Sequence, residues 1–104
     1  MSSSPEYVAF IAEQLSELED ISYRKMFGEY AFYHKGKVFG GVYDNRFLIK
    51  ITKNNKKLCE NFEEELPYEG AKPMLLISEV DDKLFLKNLV EVTWKDLPFL
   101  KKRK

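Results

Sequence analysis

Residues 23–51, YRKMFGEYAFYHKGKVFGGVYDNRFLIKI, decide the fold. β-Branched and aromatic side chains crowd this stretch, and Gly28, the Lys35-Gly36 pair and the Asp44-Asn45 pair interrupt them at regular intervals. Gly and Asn accept the positive φ that two-residue hairpin turns demand, so the punctuation predicts an antiparallel meander. Its strands are placed near Ser22 to Phe27, Glu29 to His34, Lys37 to Tyr43 and Arg46 to Ile51. In the last, Phe47, Ile49 and Ile51 alternate with Leu48 and Lys50, which puts the two sets on opposite faces. Helices are therefore expected over one face of the sheet, with the other partly solvated.

The flanks read as helix before and mixed structure after. Ser4 has the chemistry of an N-cap, Pro5 suits the first helical position, and Glu6 is an acid at the positive end of the helix dipole. Val8, Ile11, Leu15 and Leu18 then recur at spacings of three and four, an apolar stripe that must lie on something apolar. After the meander, Thr52 can cap a short helix running through Lys56, Leu58 and Phe62, and Pro67 ends it. A loop from Tyr68 to Pro73 leads into Met74 to Ser78, a short apolar run read as one more strand. Asp81 and Asp82 can cap a last helix carrying Leu86, Leu89, Val90, Val92 and Trp94, with a break just before Pro98. The predicted order is α-β-β-β-β-α-β-α. That order makes a two-layer α+β sandwich, an antiparallel meander sheet with helices packed on one face.

Length and composition bound the rest. A chain of 104 residues fits a single domain, residues 1–104, able to bury one core. Seventeen lysines and arginines balance 17 aspartates and glutamates, so no overall field draws the chain to nucleic acid or an anionic membrane. No basic, apolar leader opens the sequence and no apolar run is long enough to span a bilayer, which points to the cytoplasm and to no membrane. Cys59 is the single cysteine, excluding an internal disulfide and any cysteine-rich metal site.

Catalytic groupings are hard to assemble. His34 is the single histidine, at a predicted turn, and reads as a surface residue without a partner carboxylate or nucleophile. Cys59 follows Leu58 in the short helix and reads as a small buried hydrophobe. One His and one Cys cannot supply the usual N/S ligand set, and the acids lack EF-hand spacing, so no metal, cofactor or catalytic site is expected. Gly40-Gly41 lack a phosphate-loop context and are expected to mark a bulge or a close approach, with a helix packed against the backbone. Two basic clusters stand out: Arg24 and Lys25 with Lys35 and Lys37, and the run Lys101, Lys102, Arg103, Lys104. Interleaved with Tyr23, Phe27, Tyr30, Phe32 and Tyr33, they read first as solvated surface and, as the alternative, as a nucleic-acid-binding face.

The same stretch carries a family likeness. Lys25-Met26-Phe27-Gly28-Glu29-Tyr30-Ala31-Phe32-Tyr33, then Gly36-Lys37-Val38-Phe39 and Arg46-Phe47-Leu48-Ile49-Lys50, resembles the N-terminal domain of the TfoX/Sxy bacterial competence regulators. Ser4-Pro5-Glu6-Tyr7 and Tyr68-Glu69-Gly70 with Lys72-Pro73, Glu79-Val80 and Trp94 extend the likeness over nearly the whole chain. Glu29 and Ala31 stand where that pattern often has glycine. The resemblance implies a two-layer α+β fold in which Met26, Phe27, Gly28, Tyr30 and Gly36 are packing and turn residues. It also implies a regulatory role in expression of DNA-uptake genes, exerted without catalysis through a protein partner, a regulator or transcription component. An exposed aromatic surface or open sheet edge would serve such contacts, and would admit a homodimer.

Overall fold

The computed structural model describes residues 3–98. The first helix, α1 (Pro5–Gln14), is capped by Ser4, whose hydroxyl accepts from the Tyr7 amide at 3.1 Å. The meander follows as β1 (Ile21–Met26), β2 (Glu29–His34), β3 (Lys37–Tyr43) and β4 (Arg46–Lys50), each boundary within a residue of its expected place. Phe27-Gly28, Lys35-Gly36 and Asp44-Asn45 connect them, all six residues at positive φ, the geometry of type I′ turns. Beyond lie α2 (Lys53–Leu58), β5 (Glu64–Glu65), β6 (Met74–Leu76) and α3 (Lys83–Asp96), capped by Asp82. The strands form one antiparallel sheet in the order β1-β2-β3-β4-β6-β5.

This is the anticipated α+β order with one addition and two shorter elements. Strand β5 lies in an acidic run with no strand propensity; pairing of Glu64 with Leu75 and Glu65 with Met74 makes it a strand. Helix α2 stops at Leu58, with Cys59 as its C-cap, and does not reach Phe62. Strand β6 ends at Leu76, although the Ile77 amide still donates to the Phe47 carbonyl at 3.0 Å.

Register assigns the faces. Phe32 pairs with Gly40, Gly40 with Ile49, and Val42 with Phe47, so these positions share one face. Phe32, Phe39 and Phe47 are fully buried there, with Phe32 centred 6.4 Å from Phe39 and 6.3 Å from Phe47. Val8, Ile11 and Leu15 from the α1 region and Leu86, Leu89 and Val90 from α3 complete this core, which places both helices on the same face. A register shift at Phe32/Tyr33 leaves Phe39 as the extra residue of a bulge on β3. The close approach at Gly40 and Gly41 comes from neighbouring strands and not from a helix. A Cβ on Gly40 would strike the Leu48 carbonyl oxygen, and one on Gly41 would strike the Tyr30 carbonyl oxygen and lie 2.8 Å from the Tyr43 ring.

A buried polar junction locks α2 to α3. Thr52 and Asn55 form a capping box: the Asn55 amide donates to Thr52 Oγ1 at 3.3 Å and the Thr52 amide to Asn55 Oδ1 at 2.8 Å. Asn55 Nδ2 also donates to the Lys50 carbonyl at 2.8 Å and to Thr93 Oγ1 at 2.7 Å, and Thr93 donates onward to the Leu89 carbonyl. Asn55 has no exposed surface, so every polar atom it leaves unpaired is costly. Asn55→Ala is expected to lower unfolding free energy by roughly 3 kcal/mol, measured by urea denaturation.

Asp96, at the end of α3, reaches back over the start of α2. The Thr52 hydroxyl, then the Asn54 amide and side chain, hold its carboxyl below the ordinary value of 3.8. A carboxyl depressed by folding contributes stability that is complete above its unfolded pKa and is lost as pH falls through the folded one. Asp96→Asn should therefore be less stable than the parent at neutral pH and lose less stability than the parent on acidification below pH about 4, read by thermal denaturation across pH.

Candidate interaction site

The β1–β2 turn places a phenylalanine where the backbone disfavours one. Phe27 has φ +54° and its side chain is fully exposed, so no burial of the ring offsets the strain. The left-handed conformation costs an ordinary residue about 1–2 kcal/mol, whereas Asn or Gly occupies it readily. Gly28 follows at φ +84° and satisfies the second turn position. Met26, next to the turn, is 47% exposed. A strained backbone bearing an exposed aromatic is a signature of a working surface more than of packing.

This end of the sheet is clasped by the start of the chain. The Ser3 amide donates to the Gly28 carbonyl at 3.2 Å, and the Ser3 hydroxyl donates to Glu29 Oε1 at 2.6 Å while accepting from the Asn45 amide at 3.0 Å. The Asp44 amide also donates to the Glu29 carboxylate, and the Ser4 amide to Asn45 Oδ1 at 2.9 Å. Two hairpin turns and the chain start are thus joined through one carboxylate. Glu29, a departure from the glycine of the motif, is the centre of the clasp.

On the helix-free face, β2 and β3 place Ala31 opposite Gly41; Ala31 makes a low floor, and the Tyr43 ring lies over Gly41. Residues 66–69 run above it. Pro67 is buried there, Tyr68 lies 6.5 Å ring to ring from Tyr43, and Leu66 and Tyr68 are 46% and 64% exposed. Between this strap and the Phe27 turn lies a groove of about 750 Å³, its apolar walls formed by Met26, Phe27, Leu66 and Tyr68. Glu29, Asp44, Glu69 and Arg46 supply its charges, and Arg46 Nη1 is paired with Glu65 Oε1 at 2.7 Å. The Tyr43 hydroxyl is pushed above its ordinary pKa by burial first, with Tyr68, Glu29 and Tyr33 adding to the rise, so it stays protonated at neutral pH and serves as a neutral hydrogen-bonding group.

Of the described basic candidates, Lys35 and Lys37 come together at Trp94, whereas Arg24 and Lys25 part. Arg24 and Lys25 are exposed on edge strand β1, but strand alternation sends them to opposite faces, Arg24 across from Ala31 and Lys25 across from Tyr30. Lys35 is exposed, 5.7 Å from the Trp94 ring. Lys37 is buried, with Nζ donating to the Trp94 carbonyl at 3.0 Å and lying 4.0 Å from the ring centroid, a structural cation–π contact. Lys101, Lys102, Arg103 and Lys104 lie outside the described residues.

His34 is a correction to the surface reading. It is buried, its Nδ1 donates to the Glu19 carbonyl at 2.7 Å, and its ring stands edge-on to Trp94 at 5.8 Å. The chain between α1 and β1 folds over the Lys35 turn, where the Lys35 amide donates to the Asp20 carbonyl, and covers the imidazole. Cys59 is buried as expected, and burial pushes its thiol above the ordinary range, away from the thiolate that a nucleophile needs. Among the described residues no three His, Cys, Asp or Glu side chains gather to hold a metal, and no helix is long and apolar enough to cross a membrane.

The model of the TfoX N-terminal domain matches residues 13–94. The chain belongs to that family. It is also similar to an uncharacterized 12.7 kDa protein from the trpE 5′ region of Spirochaeta aurantia, 36% identical over 105 residues that span 100% of this chain and 91% of that protein. Within this TfoX N-terminal domain the motif residues divide by environment. Tyr30 is buried, while Gly28 and Gly36, at φ +84° and +83°, are turn residues; Met26 and Phe27 face solvent at the groove. Of the strap residues, Pro67 and Tyr68 were legible as a helix stop and a loop start but not as site residues, and Leu66 gave no signal, because a Pro-containing loop shows no periodicity that assigns it to a face.

Replacing the strained residue separates fold from surface. Phe27→Asn makes an Asn-Gly type I′ turn and is expected to raise stability by about 1 kcal/mol, read as a higher denaturation midpoint in urea.

Proposed function

We propose that this TfoX N-terminal domain is a non-enzymatic regulatory module of the cytoplasm, acting by docking another protein at the groove beside Phe27. The partner is a regulator or component of transcription, and the process is the expression of DNA-uptake genes that the family resemblance implies. One observation carries the reading: a fully exposed phenylalanine held in a strained turn at the mouth of an apolar groove. Exposed aromatics at the centre of a concave surface are the usual anchors of protein interfaces. The basic residues support this reading over a nucleic-acid surface, since Lys37 is engaged with Trp94 and Arg24 and Lys25 face opposite ways.

The test is a tagged capture of the full chain from its native cells, with a nuclease-treated parallel sample and mass spectrometry. Phe27→Asn serves as the comparison, because it is expected to fold at least as well as the parent. The reading expects a nuclease-resistant transcription regulator on the parent, reduced at least about tenfold on Phe27→Asn, the effect of losing one hot-spot side chain. Equal recovery on both, or loss of all partners after nuclease, contradicts it.

A further inference from the structure

The charges around the groove go further and select the chemistry of its occupant. Of the charged side chains lining it, Glu29, Asp44 and Glu69 are acidic, and the guanidinium of Arg46 is already matched by Glu65. The Glu29 carboxylate is held by neutral donors, the Ser3 hydroxyl and the Asp44 amide, which orient it without cancelling its charge. Arg24 stands across from Ala31 toward the outer edge of the sheet and opposes this field from one side. The groove therefore combines apolar walls with a net negative rim.

We infer that the groove takes a basic segment of a partner protein, with one large apolar side chain seated between Phe27 and Tyr68 and an adjacent Lys or Arg facing Asp44 and Glu69. This rests on the protein-docking reading above and narrows it to one class of partner sequence. The apolar anchor supplies contact area, and the rim selects sign, since juxtaposed like charges reject an acidic segment. Arg24 gives the inference an unusual handle. For a basic occupant, Arg24→Glu removes a repulsive charge and strengthens binding; for a phosphate-bearing or acidic occupant the same change weakens it.

The experiment is selection of a random peptide library displayed on phage against the full-length chain, followed by affinity measurement on synthetic copies of the selected peptides. The variants are Tyr68→Ala, Glu69→Lys and Arg24→Glu, all at exposed positions, each first shown to keep the parent's circular dichroism spectrum. The inference expects peptides that pair an aromatic or leucine with Lys or Arg, weakened roughly tenfold by Tyr68→Ala and by Glu69→Lys and strengthened by Arg24→Glu. Acidic or uncharged peptides that still need Tyr68 would overturn the inference while leaving the docking reading intact. Failure to select any Tyr68-dependent peptide would overturn both. A monomer–dimer equilibrium abolished by Glu69→Lys in sedimentation experiments would assign the groove to a second copy of the chain and overturn the inference as well.

Discussion

The structure depends on register, and register depends on three two-residue turns that hold their residues at positive φ. A slip of one residue in any hairpin would send the side chains of a strand to the opposite face. With the turns in place, Phe32, Val42, Phe47 and Ile49 all point toward α1 and α3 and share a core with their apolar stripes. Two of the turns end in glycine and the third is Asp44-Asn45, so the second position of each is chemically at ease. The first positions of the two glycine-ended turns, Phe27 and Lys35, are the exceptions, and Phe27 is the one that faces solvent beside the groove.

The two faces of the sheet do different work. The helix face is closed by aromatic and aliphatic packing, and its polar exceptions are satisfied: Asn55 by Thr52, Lys50 and Thr93, and His34 by the Glu19 carbonyl. The opposite face is crossed only in part, by the strap around Pro67 and Tyr68, and the groove floor is kept low by Ala31. Leu48, which alternation assigns to this face, is nevertheless fully buried. The clasp at Ser3 and Glu29 fixes the turn end of the groove without covering it.

Most of the fold was legible in the pattern of residues because its signals are local. Turn residues, the period of two in Phe47-Leu48-Ile49, and the Ser4-Pro5-Glu6 start each have a mechanism that operates within a few positions. Strand β5 was not legible, since two glutamates become a strand only through pairing with β6. Burial of His34 and Lys37 was hidden for a related reason: both are covered by segments far away in sequence, the α1–β1 connection and the end of α3. At the site, Met26 and Phe27 were visible as motif residues, yet their natural reading was packing. Exposure and the positive φ of Phe27 emerged only once the hairpin was built, and the strap across the groove carries no periodic signal at all.

On the proposed reading, the strap and the Phe27 turn together form one docking surface. Amide hydrogen exchange, measured by mass spectrometry on the chain alone and on the complex recovered from its native cells, tests it most directly. Docking there would bring new protection in two segments distant in sequence, residues 26–31 and 66–69, with α1 and α3 unchanged. Protection confined to β1 or to the helix face, with both groove segments exchanging as in the free chain, would contradict it.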